Sequence, residues 1–183
     1  ASQGYLESDM GKPKVNATLE LCWRINATCE IHIVPERFRR SMEIGNVVFC
    51  CVDRIDVRRL IWESVKDKTS FFVDGRMSAE VLRILTAYSD ESRNYYPTSL
   101  FTSNEAFVGP CAAKTTIYCA NIAAGFMVAQ FTKYLRQLPV DADIQLNLLA
   151  SEISAAVAGR FLSLFYTAAI FGCGFSHSVA IAM

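Results

Sequence analysis

Six consecutive apolar residues, Val47-Val48-Phe49-Cys50-Cys51-Val52, constrain the fold of this chain more than any other stretch. Three of them are β-branched, and Asp53 ends the run abruptly. A strand without polar alternation has no wet face, so the run predicts a strand buried on both sides, as in a parallel sheet with helices on each face. The following residues agree. Asp56 has the side-chain oxygen to cap a helix, and Val57, Leu60, Ile61 and Val65 recur at helical spacing as its buried stripe. Thr69 to Val73 reads as the next strand, ending in Asp74 and Gly75. Strand, helix and strand in this order predict a right-handed parallel connection.

Upstream, Pro13 opens a helix whose apolar positions are Val15, Leu19, Cys22 and Ile25. Glu30 to Val34 alternates polar and apolar until Pro35 stops it, which reads as a short strand. Downstream, residues 79–87 read as a strand on Val81, Ile84 and Leu85, and Asp90 to Asn94 as a polar loop. After Gly109-Pro110 comes the longest helical pattern: Ile117, Ala120, Ala124, Met127, Phe131, Tyr134 and Leu138, stopped by Pro139. Its small residues Ala120, Ala123, Ala124 and Gly125 allow close approach to a sheet. No internal repeat is present. The whole reads as an α/β chain of Rossmann-like, three-layer type with a mostly parallel sheet.

Composition narrows the function classes. At 183 residues the chain fits one domain, and 52% hydrophobic against 20% charged residues excludes a disordered tail. Eighteen basic and eighteen acidic residues balance, so no nucleic-acid partner is expected. The cluster Arg37, Arg39 and Arg40 reads as a solvated turn. Seven cysteines form no CxxC pair, which points to a reducing, cytoplasmic setting and removes the case for zinc. Two sequons, at Asn16 and Asn26, carry weight only in a secreted protein, and no signal peptide is seen. His32 and His177 have no acid or thiol at ligand spacing and read as structural.

In doubly wound sheets ligands bind beyond the carboxyl ends of the strands. Asp53 and Asp74 both stand at expected strand ends and should face one crevice. A carboxylate there holds Mg²⁺ on nucleotide phosphates, since that cation prefers oxygen ligands. The alternative is that each acid caps the element after it. Position alone leaves the two open for Asp53 and favours the cap for Asp74.

The segment Asp53-Arg54-Ile55-Asp56-Val57-Arg58 resembles the D-x-x-x-x-R stretch after a hydrophobic strand in the ThiF/MoeB/HesA family, relatives of ubiquitin-activating enzymes. Other matches follow in the family's order. Ala1-Ser2-Gln3 is similar to the end of its N-x-x-x-Q loop. Asp9-Met10-Gly11-Lys12-Pro13-Lys14-Val15 is similar to its D-x-G-x-x-K helix start. Gly109-Pro110-Cys111 and the long helix are similar to its cysteine-bearing crossover. Together they cover about residues 1–150, leaving 151–183 unassigned. The resemblance implies ATP- and Mg²⁺-dependent adenylation of the C-terminal carboxylate of a small ubiquitin-like or sulfur-carrier protein, in a homodimer. It implies that Gln3 and Lys14 contact the nucleotide, that Asp53 binds Mg²⁺, and that Arg58 steadies the loop or the incoming carboxylate. Cys111, near a helix start and three residues before Lys114, becomes the candidate nucleophile for thiol capture. The plainer readings are an exposed first-turn lysine for Lys14 and a buried small hydrophobe for Cys111.

Departures from the family are specific. Its glycine turn and ribose-binding acid, from the first βαβ unit, are expected before residue 1. Ser2 replaces an arginine, and Arg54 stands where asparagine is common. The other class of function is then a non-catalytic interaction module without nucleotide binding. Finally, 161–183 carries no Lys, Arg, Asp or Glu. It is long enough for a bilayer, with Arg160 at its threshold, but Gly172 and Gly174 interrupt it. A buried core element, or a tail unrelated to the family, is favoured over a membrane span.

Overall fold

The computed structural model describes residues 4–101, 116–157 and 160–161. Within them lie four helices, α1 (Lys14–Ile25), α2 (Ile55–Val65), α3 (Asp90–Tyr95) and α4 (Ile117–Leu135). Six strands accompany them: β1 (Val47–Cys50), β2 (Phe71–Ser78), β3 (Val81–Ala87), β4 (Asp143–Asn147), β5 (Glu152–Val157) and β6 (Arg160–Phe161). All six join one sheet in chain order, β1 to β6.

The sheet is mixed α/β, but it is not mostly parallel. Only β1 and β2 run parallel, and each later pair is antiparallel. The reason is local at β2–β3. Ser78 pairs with Val81, so only Ala79 and Glu80 turn the chain, and a connection that short joins only antiparallel strands. Ala79 accepts a left-handed φ of 50° to make the turn.

The first four residues of the apolar run form β1 and are covered on both faces, whereas Cys51 is exposed and, with Val52, lies outside the strand. Val48 and Cys50 join Ile61, Trp62 and Val65 of α2 with Phe72, Leu85, Ala87, Tyr96 and Leu100. Phe49 points the other way and joins Phe71, Val73, Leu82 and Ile84 under Cys119, Ala123 and Met127 of α4. Trp62, Phe72 and Tyr96 centre the first core, with ring centroids 4.6–5.1 Å apart. Burial of each such side chain contributes roughly 1.5–3 kcal/mol. On the α4 side Met127 lies over Gly75, where an added Cβ would stand 2.6 Å from its sulfur. The helix therefore approaches the strand closely through the glycine.

Five local expectations need correction. Glu30 to Val34 is not a strand, because no backbone partner among the described residues takes up its alternation. Asp90 to Asn94 is not a loop but most of α3. Ser89 caps that helix by accepting from the Ser92 amide at 3.3 Å, and Ser92 donates its hydroxyl to the Ser89 carbonyl at 3.0 Å. Asp56 does not cap α2. Arg54 holds the cap position, and Asp56 accepts from its Nε and Nη2 at 3.0 and 2.5 Å. On α1 the expected stripe is only half-buried: Ala17 is its one buried residue, and Ile25 is 79% exposed. The α4 pattern shifts similarly, with Gln130 buried because its amide oxygen accepts from the Asp141 backbone at 2.9 Å.

Candidate functional site

At the carboxyl end of β1 the chain leaves the sheet at Cys51 and turns through Asp53 before α2 begins. Asp53 is exposed. Its neighbour Arg54 is committed to Asp56, and that pairing holds the Asp56 carboxyl below its ordinary range. Asp53 thus occupies the place where ligands bind in α/β sheets.

Asp74 does not share that place. It lies inside β2, opposite Cys50, at neither a strand end nor a cap. An acid survives there because two arginines converge on it. Arg58, from the first turns of α2, pairs through Nη1 with Asp74 Oδ1 and donates from Nη2 to the Gly75 carbonyl at 3.1 Å. Arg76 donates from Nε to Asp74 Oδ2 at 2.8 Å, and the Tyr96 hydroxyl donates to the same oxygen at 2.9 Å. The guanidinium of Arg76 also stands 5.7 Å from the Tyr96 ring centre. Desolvation makes both guanidinium groups hold their protons less firmly than usual. Burial likewise pushes the Tyr96 phenol and the Cys50 thiol above their ordinary values. Two cations and one anion leave a positive excess beneath the Asp53 turn.

This cluster also fixes the backbone at 99–101. Arg76 donates to the Ser99 carbonyl at 2.7 Å and to its hydroxyl at 3.0 Å. Arg59 donates to the Leu100 and Phe101 carbonyls at 2.7 and 3.4 Å. Past the other end of segment 102–115, Tyr118 donates to Glu80 in the β2–β3 turn at 3.3 Å. Both anchors therefore lie toward the carboxyl-terminal end of β2.

The family resemblance implies that Arg58 steadies the loop or the incoming carboxylate. The structure turns its side chain inward, where it braces β2. Lys14 is exposed as the first residue of α1, and no ion pair among the described residues takes it; Lys12 instead meets Glu20 at 2.6 Å. Gln3, Gly109-Pro110, Cys111 and Lys114 lie outside the described residues. Cys119 is buried at the start of α4, as expected of a core thiol. Arg59, Arg76, Tyr96 and Ser99 were missed. Asp74 and Arg76, two residues apart and so on one face of the strand, were the available signal of an ion pair, though not of its burial.

Among the described residues no three His, Cys, Asp or Glu side chains converge on a metal position. Asp53 would supply a single carboxylate, which suits Mg²⁺ held mainly by phosphates rather than by a protein cage. An open cleft of about 600 Å³ borders Met42, Ile44, Ser64 and Lys68. It lies at the amino end of β1, away from Asp53, and Arg40, Ser41 and Glu43 also line it. No described helix is long and apolar enough to cross a membrane.

No family model matches this sequence, and no curated protein matches it. Among solved structures, that of selenomethionine PaaA is similar, with a TM-score of 0.61 at 15% sequence identity. The match covers 84% of this chain but 58% of the PaaA chain. At that identity the likeness concerns the fold alone.

Proposed function

We propose that this chain contributes to an ATP-dependent adenylating domain of the ThiF/MoeB/HesA kind, of Rossmann-like three-layer architecture. Its substrate would be the C-terminal carboxylate of a small ubiquitin-like or sulfur-carrier protein. The observation that carries this reading is the folding of the D-x-x-x-x-R segment as the turn and first helical residues that follow β1. Its acid is exposed beyond the sheet, while its arginine is locked into a cationic floor below. A polyphosphate and a carboxylate repel each other, so their reaction needs positive charge fixed in advance. The pair Arg58 and Arg76, only half-neutralised by Asp74, supplies that field without touching the reactants. Bound Mg²⁺ would offset phosphate charge at Asp53. In the reaction itself, a carboxylate oxygen bonds to the α-phosphorus as the bond to pyrophosphate breaks, giving an acyl-adenylate. Transfer to the Cys111 thiol, with release of AMP, is the second step of the same proposal.

Exchange of labelled pyrophosphate into ATP, with a carrier protein ending in Gly-Gly, tests the first step. Exchange that needs both carrier and Mg²⁺ and is lost in Asp53→Asn supports it. A second reading, a non-catalytic interaction module, is favoured by the commitment of both nearby arginines, Arg54 to Asp56 and Arg58 to Asp74. Carrier binding without exchange would select that reading.

A further inference from the structure

The register of the sheet sets four polar side chains in one row across its α2 side. Leu85 belongs to the core under α2, and it pairs with Asp74 on one strand and Asp143 on the other, so that row faces α2. Two residues along each strand, Arg76 stands opposite Arg83, Arg83 opposite Gln145, and Gln145 opposite Ser154. Side chains two residues apart share a face, so this second row lies on the α2 side as well. Because Cys50 is level with Asp74, the row sits toward the end of the sheet at which β1 gives way to Asp53.

Two arginines directly opposite on one face repel each other, and the sheet gains no stability from placing them there. Each is neutralised from the inner row: Arg76 meets Asp74, and Arg83 meets Asp143. With Arg58 also on Asp74, three guanidinium groups share two carboxylates, and one positive charge is left over. It comes to the surface at Arg83, whose side chain is 32% exposed against 12% for Arg76. Arg83 commits Nε and Nη2 to Asp143 and Tyr95, and no described residue takes its Nη1. Beside it, Gln145 and Ser154 are exposed, and no hydrogen bond among the described residues engages either side chain. An arginine N–H, an amide and a hydroxyl thus stand on adjacent strands as unengaged donors beside a surplus charge.

The charge count points to the occupant. A surplus of one fits a carboxylate better than a polyphosphate, and Glu152, exposed in the next row opposite Asn147, opposes a denser anion. A lone exposed ion pair holds weakly, so a free carboxylate gains little on this open strip. A larger partner has to bring it. The next row offers that partner an apolar contact, since Val81 lies two residues from Arg83 on the same side and is 47% exposed. We propose that the α2 side of β3, β4 and β5 docks an acidic protein segment. A Glu or Asp side chain of the partner is received by Arg83, Gln145 and Ser154, and an apolar residue beside it rests on Val81. Asp143 is then a positioning residue, which holds Nε and Nη2 of Arg83 from within and leaves Nη1 to the partner. The inference stands whether or not the chain adenylates a carboxylate.

Titration of the full, isotope-labelled chain tests it, followed in NMR spectra through the Gln145 side-chain and Ser154 backbone amides. The probe is a hexapeptide alternating Glu and Val, and its control alternates Gln and Val. The glutamate peptide should move these signals and bind about tenfold more tightly than the control, since charge-assisted hydrogen bonds are the stronger ones. Gln145→Lys should tighten its binding, and Gln145→Glu should weaken it about tenfold by setting a like charge in the row. Gln145 is exposed and unengaged, so neither change should move the unfolding midpoint. If either variant fails to fold, Ser154→Asp on the outer strand carries the same expectation as Gln145→Glu. Signals unmoved by the glutamate peptide, or equal affinity for the two peptides, overturn the proposal. So does an affinity that the added acid leaves unchanged. Signals that move only with tripolyphosphate assign the row to a polyphosphate and overturn it as well.

Discussion

Arg58 on α2 and Asp74 on β2 form an ion pair whose side chains are 6% and 0% exposed. Such a pair is costly to desolvate, and it persists because further donors converge on Asp74. Arg76 and Tyr96 complete the set. Through Arg76 the same carboxylate governs the position of Ser99. One buried acid thus joins the helix after Asp53 to the backbone that leads into segment 102–115.

Asp74→Asn should destabilise the fold by about 3–5 kcal/mol, because it strands two buried cations. Arg58→Met should cost less, since Asp74 keeps Arg76 and Tyr96 while the methionine fills the space. Denaturant midpoints for the two variants check this, and the reverse order of stability would refute the account.

Asp53→Asn, by contrast, alters an exposed turn. Stability should stay within about ±0.5 kcal/mol of the parent. Carrier-dependent pyrophosphate exchange should fall about 100-fold. A large loss of stability with exchange intact would make Asp53 a structural residue.

Stability should fall on the alkaline side, and Tyr96 is one cause. Burial raises its folded pKa above the ordinary 10.0. Below that ordinary value both folded and unfolded phenols are neutral, so its contribution is fully present. Above it the unfolded phenol ionises first, and stability is lost as pH climbs toward the folded value. Denaturant melts at about pH 9 and about pH 11 should show the loss, and Tyr96→Phe should reduce its slope. The slope should not vanish, since Tyr95 and Cys50 are also raised, chiefly by burial.

Gly75→Ala should cost about 1–3 kcal/mol by pressing Met127 out of its place. In a Met127→Ala background, which removes the clashing sulfur, the same change should cost clearly less. Identical costs in both backgrounds would mean that the close approach at Gly75 does not limit packing.

Much of the element order was legible because the patterns were long or unbroken: the run at 47–52, the α2 stripe, and the α4 period ending before Pro139. Strand direction was not, since apolar residues carry no arrow and the Ala79-Glu80 turn lacks the glycine or asparagine that announces a hairpin. Asp74 looked like a strand terminator because its counter-charges, Arg58 and Arg76, become its neighbours only through folding. α3 was misread from its polarity, although Ser89 before Asp90 and Glu91 is a helix-start pattern. Of the candidate site, the exposed acid Asp53 could be found from sequence, whereas the floor beneath it required tertiary structure.

Strands that neighbour one another in sequence also neighbour one another in the sheet, with one long excursion, residues 88–142, between β3 and β4. Closing a loop of that length costs more entropy than any other connection between neighbouring strands here, although the cost grows only logarithmically with length. At the junction Arg83 grips Asp143 with Nε and Nη2, at 3.0 and 2.7 Å, and the Tyr95 hydroxyl joins them at 2.7 Å. The β2–β3 hairpin can form early from local contacts, while β4 must wait for the excursion to be laid down. That clasp is therefore where the longest connection between neighbouring strands is closed.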